Sequence, residues 1–180
     1  EDTPRLFIAN AGQESLQVLD LVDGLEEVEF VASQAIYFPL RIPIGPAPEA
    51  MVASEDGRYV VILDWMTERA QLLDADELAF VQADGVTLDT DFGVSGVKPH
   101  SLAPLPGCGD GCNGRFAVSL EGSGEVVVLQ VRTSADGVVS AEGEEKRYSV
   151  GGTPTSLAVA PGGQVVFVSD SSSNDVVRLD

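Results

Sequence analysis

Four times along this chain an apolar strand runs into a polar turn, then into a second apolar strand that closes on a polar residue. The copies occupy residues 6–10 with 16–20, 59–64 with 70–74, 116–121 with 126–130, and 165–170 with 176–180. Asn10 to Asp20, Asp64 to Asp74 and Asp170 to Asp180 are each ten residues apart. Glu121 to Gln130 is nine, so the third turn is expected to be one residue shorter. Side chains alternate along a strand with period two, and a one-residue slip turns a buried face to water. A register held across four copies therefore means one hairpin used four times.

Three of these hairpins follow a short apolar strand that starts at a proline and leads to a glycine: Pro48 to Gly57, Pro99 to Gly114, and Pro154 to Gly163. Proline has no N–H to give to a ladder, so it suits the start of a strand. Glycine suits the tight turns expected at residues 54–57 and 160–163. From Asn10 to Asp64 is 54 residues, from Asp64 to Glu121 is 57, and from Glu121 to Asp170 is 49. A period near 50 with four short strands per unit is the pattern of a β-propeller. No segment carries the sustained 3.6-residue apolar stripe that a helical solenoid requires. Fourth strands are expected at residues 36–40, 78–82 and 146–150. The fold class is thus all-β, a propeller of about four blades at roughly 1–45, 46–96, 97–151 and 152–180, with three, four, four and three strands.

Composition fits many short strands joined by turns, with 19 Gly and 10 Pro in 180 residues. Lys and Arg total 10 against 29 Asp and Glu, a net charge of −19. A field of that sign repels phosphate backbones and anionic lipid, which argues against nucleic-acid binding. It serves solubility, or else a face that attracts cations or a basic partner; composition does not locate such a face. No apolar run is long enough to span a membrane as a helix, so no membrane insertion is expected. The opening Glu1-Asp2-Thr3-Pro4 is unlike a signal peptide.

The repeat resembles the YVTN-type β-propeller family, with its Pro-led strand, "PDG"-like turn, "YVTN"-like strand and "VSVID"-like strand. Residues 54–57 and 160–163 match the turn, 6–10 and 166–170 the next strand, and 16–20 and 176–180 the last. The resemblance covers nearly the whole chain and implies fold rather than chemistry. Such repeats occur in surface-layer proteins, secreted and periplasmic binding proteins, lactonases and electron-transfer enzymes. It also implies six to eight blades. The chain starts in the second strand of one blade and stops after the third of another, so its ends would overlap instead of completing a blade. The expectation is a segment of a larger propeller; the alternative is a small assembly whose copies pair edge to edge.

Cys108 and Cys112 lie in the Gly-rich run 106–114, an insertion where the other repeats have a short turn. A disulfide between them suits an oxidising compartment. A metal site would need two further ligands from His100 and carboxylates, and no metal is assigned. His100, the only histidine, follows Pro99 where Glu49 and Thr155 stand in neighbouring repeats. That position opens the innermost strand, so the side chain is expected toward the channel mouth; the alternative is a structural or merely exposed histidine. Trp65 takes a turn position where other repeats have small or polar residues, either as a contact residue or folded back on a neighbouring blade. Acidic groups cluster at 26–29, 84–91 and 142–145, and the second could take Ca²⁺ although its spacing is not that of an EF-hand. No phosphate loop, nucleophile elbow or zincin motif is present in the sequence, and no catalytic residue or other cofactor is assigned.

These residues point to a non-enzymatic, extracytoplasmic binding or scaffold propeller. Its ligand would be a protein or small molecule held by loops such as 64–69 and 106–114, with His100, Glu49 and Trp65 as ligand-binding candidates. The competing reading is part of a lactonase-like hydrolase or redox propeller with its site at the channel mouth, where only Glu49 and His100 stand out. A surface-layer or adhesion array is a third class. Mass spectrometry without reduction tests the compartment: a Cys108–Cys112 bridge makes the chain two hydrogens lighter than its reduced form, and an unchanged mass removes the bridge.

Overall fold

The computed structural model describes residues 4–22, 27–30, 40–81, 86–87, 98–107 and 112–180. It divides into two compact units, 1–48 and 49–180. Within the described residues the chain forms four antiparallel sheets and no α-helix.

In the first unit, β1 (Arg5–Asn10), β2 (Ser15–Val22), β3 (Glu27–Phe30) and β4 (Arg41–Pro43) make one sheet. β1 lies along one edge of β2, from Arg5 opposite Asp20 to Asn10 opposite Ser15. The other edge is shared, β3 facing Leu19 to Val22 and β4 facing Ser15 to Gln17. Leu16, Val18, Leu19, Ile42 and Ile44 are its buried apolar side chains. Of the strand expected at 36–40, only Leu40 is described, and it precedes β4 outside any strand.

The second unit holds three sheets. β5 (Pro48–Ala53), β6 (Tyr59–Asp64), β7 (Arg69–Asp74) and β8 (Ala79–Phe80) run in order, and β9 (Val86–Thr87) shares the outer edge of β7 with β8. β10 (Pro99–Leu105), β11 (Cys112–Leu120), β12 (Glu125–Thr133) and β13 (Val139–Ser149) form the next. β14 (Pro154–Val159), β15 (Val166–Asp170) and β16 (Asp175–Leu179) form the last. Among the described residues the four sheets are, by ladder position, three, four, four and three strands deep, as the repeat predicts, with the outermost position of the first two split into two pieces. β13 is longer than the strand expected at 146–150, and β8 starts one residue later than expected.

The third hairpin corrects the sequence reading. Leu120 pairs with Glu125, as Asn10 pairs with Ser15, Asp64 with Arg69 and Asp170 with Asp175. Four residues separate the partners in every copy, so the third turn is not shorter. Glu121 is its first loop residue, and an apolar Leu120 holds the position that is polar in the other three. The fourth loop residue is left-handed each time: Glu14 (φ 48°), Glu68 (φ 53°), Gly124 (φ 69°) and Asn174 (φ 60°). The same loop joins β7 to β8, with Leu78 at φ 53° and its N–H on Asp74 O. That explains why the outer strand starts at Ala79.

Buried aspartates fix three of these five loops. Asp64 Oδ1 accepts from Thr67 N (2.7 Å) and Thr67 Oγ1 (2.8 Å). Asp74 Oδ1 accepts from Asp76 N (2.9 Å) and Glu77 N (3.1 Å). Asp170 accepts from Thr153 N, Ser172 N, Ser172 Oγ and Ser173 Oγ. A buried carboxylate needs such partners, and a loop N–H turned away from the ladder needs an acceptor. Gly152 makes room for the last of them: at φ 63°, a Cβ there would lie 2.1 Å from Asp170 Oδ2.

Neighbouring sheets of this unit pack face to face. Tyr59, Val61, Leu63, Ala70 and Leu72 meet Phe116, Val118, Leu120, Val127, Leu129 and Val131 in one core. Ala117 and Val126, on the other face of β11 and β12, pack with Val168, Leu157, Val166 and Leu179. Strands buried on both faces lose the hydrophobic–polar alternation of a half-exposed sheet, which is why β6 reads as a continuous apolar run.

Two outcomes follow from the caps. Asp64→Ala removes both Thr67 hydrogen bonds and is expected to cost about 1–3 kcal/mol in urea unfolding with the β-sheet circular dichroism retained. The four donors around Asp170 hold its carboxyl well below the usual carboxylate range. A depressed folded-state value stabilises above the unfolded value of ~3.9, and that contribution fades as pH falls below it. Urea melts across the acid range should therefore fall less steeply with pH in Asp170→Asn than in the parent chain.

Candidate functional site

The site begins with a bulge. Pro99 pairs with Leu120 and Ser101 with Ser119, so His100 is one residue more than β11 can pair. β14 slips in the same place, with Pro154 opposite Asp170 and Leu157 opposite Val168. In both sheets a serine compensates: Ser119 Oγ accepts from Ser101 N (2.9 Å), and Ser169 Oγ accepts from Ser156 N (3.0 Å). Ser119 Oγ also donates to Thr155 O (3.2 Å), tying the bulged sheet to the next inner strand. Bulges turn side chains out of the regular pleat and recur beside functional sites.

Around this bulge a cavity of about 280 Å³ is lined by Glu49, Trp65, Lys98, Pro99, His100 and Glu121. All three ligand-binding candidates from the sequence therefore meet in one place. His100 Nε2 lies 3.7 Å from Glu49 Oε1, across two neighbouring inner strands. Trp65 is 48% exposed, so it stands out from its loop to form a wall of the cavity. Lys98 and Glu121 were not anticipated. Glu121 is the first residue of the β11–β12 loop, the position Trp65 holds in the β6–β7 loop, and aligning Leu120 with Asp64 would have revealed it. Lys98 has no such signal. It sits at φ 42°, its carbonyl accepting from Glu121 N (3.0 Å) and its N–H donating to Glu68 Oε1 (3.4 Å). A left-handed non-glycine residue is a strained backbone that its surroundings must hold.

The cysteine loop is elsewhere. β10 runs from His100 toward Leu105, so loop 64–69 and the described residues Pro106, Gly107 and Cys112 belong to opposite ends of the strands. Cys112 opens β11 and is not a free thiol; Cys108 lies outside the described residues. A second cavity there, about 300 Å³, is lined by Glu55, Asp56, Cys112, Asn113 and Arg115 among others. The carboxylates of the 84–91 segment lie outside the described residues, and among those described no three His, Cys, Asp or Glu gather as metal ligands.

No protein-family model and no curated protein sequence matches the chain. Solved structures do. The periplasmic gluconolactonase PpgL of Pseudomonas aeruginosa is 20% identical, with a TM-score of 0.60 over 98% of this chain and 50% of that one. A streptogramin B lyase is 13% identical, TM-score 0.57, over 98% of this chain and 47% of the other. The WD40 domain of SCAP from fission yeast is 14% identical, TM-score 0.57, over 99% and 39%. The chain is built of β-propeller blades. At these identities the likeness carries the fold alone, and the blades span half or less of each of these neighbours.

His100 and Glu49 are both partly exposed, at 39% and 32% of the side chain. An exposed pair contributes little to stability. A double-mutant cycle of His100→Ala and Glu49→Ala in urea is expected to give a coupling below about 1 kcal/mol, which leaves the pair free for a role other than holding blades together.

Proposed function

We propose that this chain is a non-enzymatic, extracytoplasmic propeller module that binds a ligand at the inner-strand end of its second and third blades. The observation that carries the reading is the convergence of Glu49, His100 and Trp65, from three different strands and loops, on one cavity of about 280 Å³. Small-molecule sites are concave and combine a few polar groups with an apolar wall, and this cavity has both. The location is supported by the cysteine pair and by the likeness to a periplasmic protein. The share of each neighbour that the chain spans supports a place within a larger propeller.

A second reading has an observation of its own. The His100–Glu49 pair is the arrangement of a base oriented by a carboxylate, and one neighbour is a gluconolactonase. The two readings separate in a direct assay. With glucono-δ-lactone, the binding reading expects hydrolysis at the buffer rate, unchanged by His100→Ala; acceleration that His100→Ala abolishes establishes the hydrolase. For the binding site itself, small solutes that raise the melting temperature of the parent chain are expected to lose that effect in Trp65→Ala and Glu49→Ala. Retention of the effect in both variants places the ligand elsewhere.

A further inference from the structure

We propose that the cavity is selective for a small organic cation of the alkylammonium class, an inference that rests on the cavity being the binding site. Three features point the same way. Trp65 is half-exposed and lines the cavity, and indole is the best aromatic partner for an ammonium group. Glu49 and Glu121 line the cavity, and Glu68 adjoins it through Lys98 N. Against these three carboxylates stand Lys98 and His100, so the local charge is negative whichever state His100 takes. The chain as a whole carries −19, and clefts focus the field of a charged protein, raising the local concentration of ions of the opposite sign. The net charge noted in the sequence thus acquires a place where it can act.

The lining also explains why the ligand should be alkylated. A bare metal ion would need several oxygen ligands converging at short range, and no such group of three occurs among the described residues. An alkylammonium group needs only an aromatic face and a diffuse negative field, which is what Trp65 and the surrounding glutamates provide. Lys98 and His100 are outnumbered by the three carboxylates, and sodium acetate is the opposing probe that tests this balance.

Trp65 is the only tryptophan, so intrinsic fluorescence reports on this cavity directly. Tetramethylammonium chloride, titrated into the full chain at constant ionic strength against sodium chloride, is expected to give a saturable change. Neopentyl alcohol, an uncharged solute of similar branched shape, and sodium acetate are expected to give none. Ligand-observed NMR of the tetramethylammonium methyl signal should then weaken by about two- to thirtyfold in affinity in Trp65→Ala. Glu121→Gln should weaken it about two- to fivefold. Equal binding of neopentyl alcohol or acetate overturns the cationic class while leaving the cavity as the site. Saturation by a lysine-rich peptide but not by tetramethylammonium overturns the small-ligand class. Silence toward every probe overturns the cation proposal and removes support from the site as well.

Discussion

A four-residue loop that ends in a left-handed residue closes the central hairpin of every sheet, and the rest of the architecture is set by it. Once that loop is fixed, the residues opposite one another are fixed, and with them the face each side chain turns to. Slipping any hairpin by one residue would put Val61 and Leu63, or Phe116 and Val118, on the wrong face of their sheets. In the second and fourth blades the loop is held from inside by hydrogen bonds, whereas Asn10 in the first makes no such cap. Asp64, Asp74 and Asp170 are buried at strand ends and accept the N–H groups that the turn leaves out of the ladder. In the third blade Leu120 takes that position, and Gly124 supplies the left-handed residue without a Cβ.

Exact register matters because β6 and the second half of β11 have no solvent face to spare. β11 sends Phe116, Val118 and Leu120 into one core and Ala117 into the next. Ser119, between them, is where this packing meets the candidate site. Its hydroxyl accepts the Ser101 N–H set free by the bulge and donates to the inner strand of the following sheet. The bulge leaves His100 as the unpaired residue of β10, 3.7 Å from Glu49. The same register sets Trp65 and Glu121 at equivalent loop positions on the same cavity. Hairpin geometry and candidate site are therefore one construction: the loops that close the second and third blades also place two walls of the pocket.

Much of this could be read from the residues. Pro48 and Pro154 begin their strands where proline's missing N–H said they would, and the Gly-bearing turns at 54–57 and 160–163 form as expected. His100, Glu49 and Trp65 were chosen from their places in the repeat, and they share a cavity. The misreading of the third hairpin came from matching polar residues: Glu121 resembles Asp64 chemically, but Leu120 occupies its place in the ladder. Chemistry at that position is tolerant because Gly124 can close the loop without an aspartate cap. The split outer strands were not readable either. Outer strands pair along one edge only, so little in their side-chain pattern constrains where they break. Lys98 was invisible for a different reason, since its role depends on a backbone conformation that its residue type disfavours.

The central claim is that one loop geometry, with Leu120 and not Glu121 as the last paired residue, governs all four hairpins. Solution NMR of the full chain tests it through cross-strand contacts and backbone couplings. Contacts between Leu120 and Glu125 are expected, alongside those between Asp64 and Arg69 and between Asp170 and Asp175, with positive φ at Glu14, Glu68, Gly124 and Asn174. Pairing of Glu121 across a loop one residue shorter, with Gly124 in an extended conformation, would contradict it.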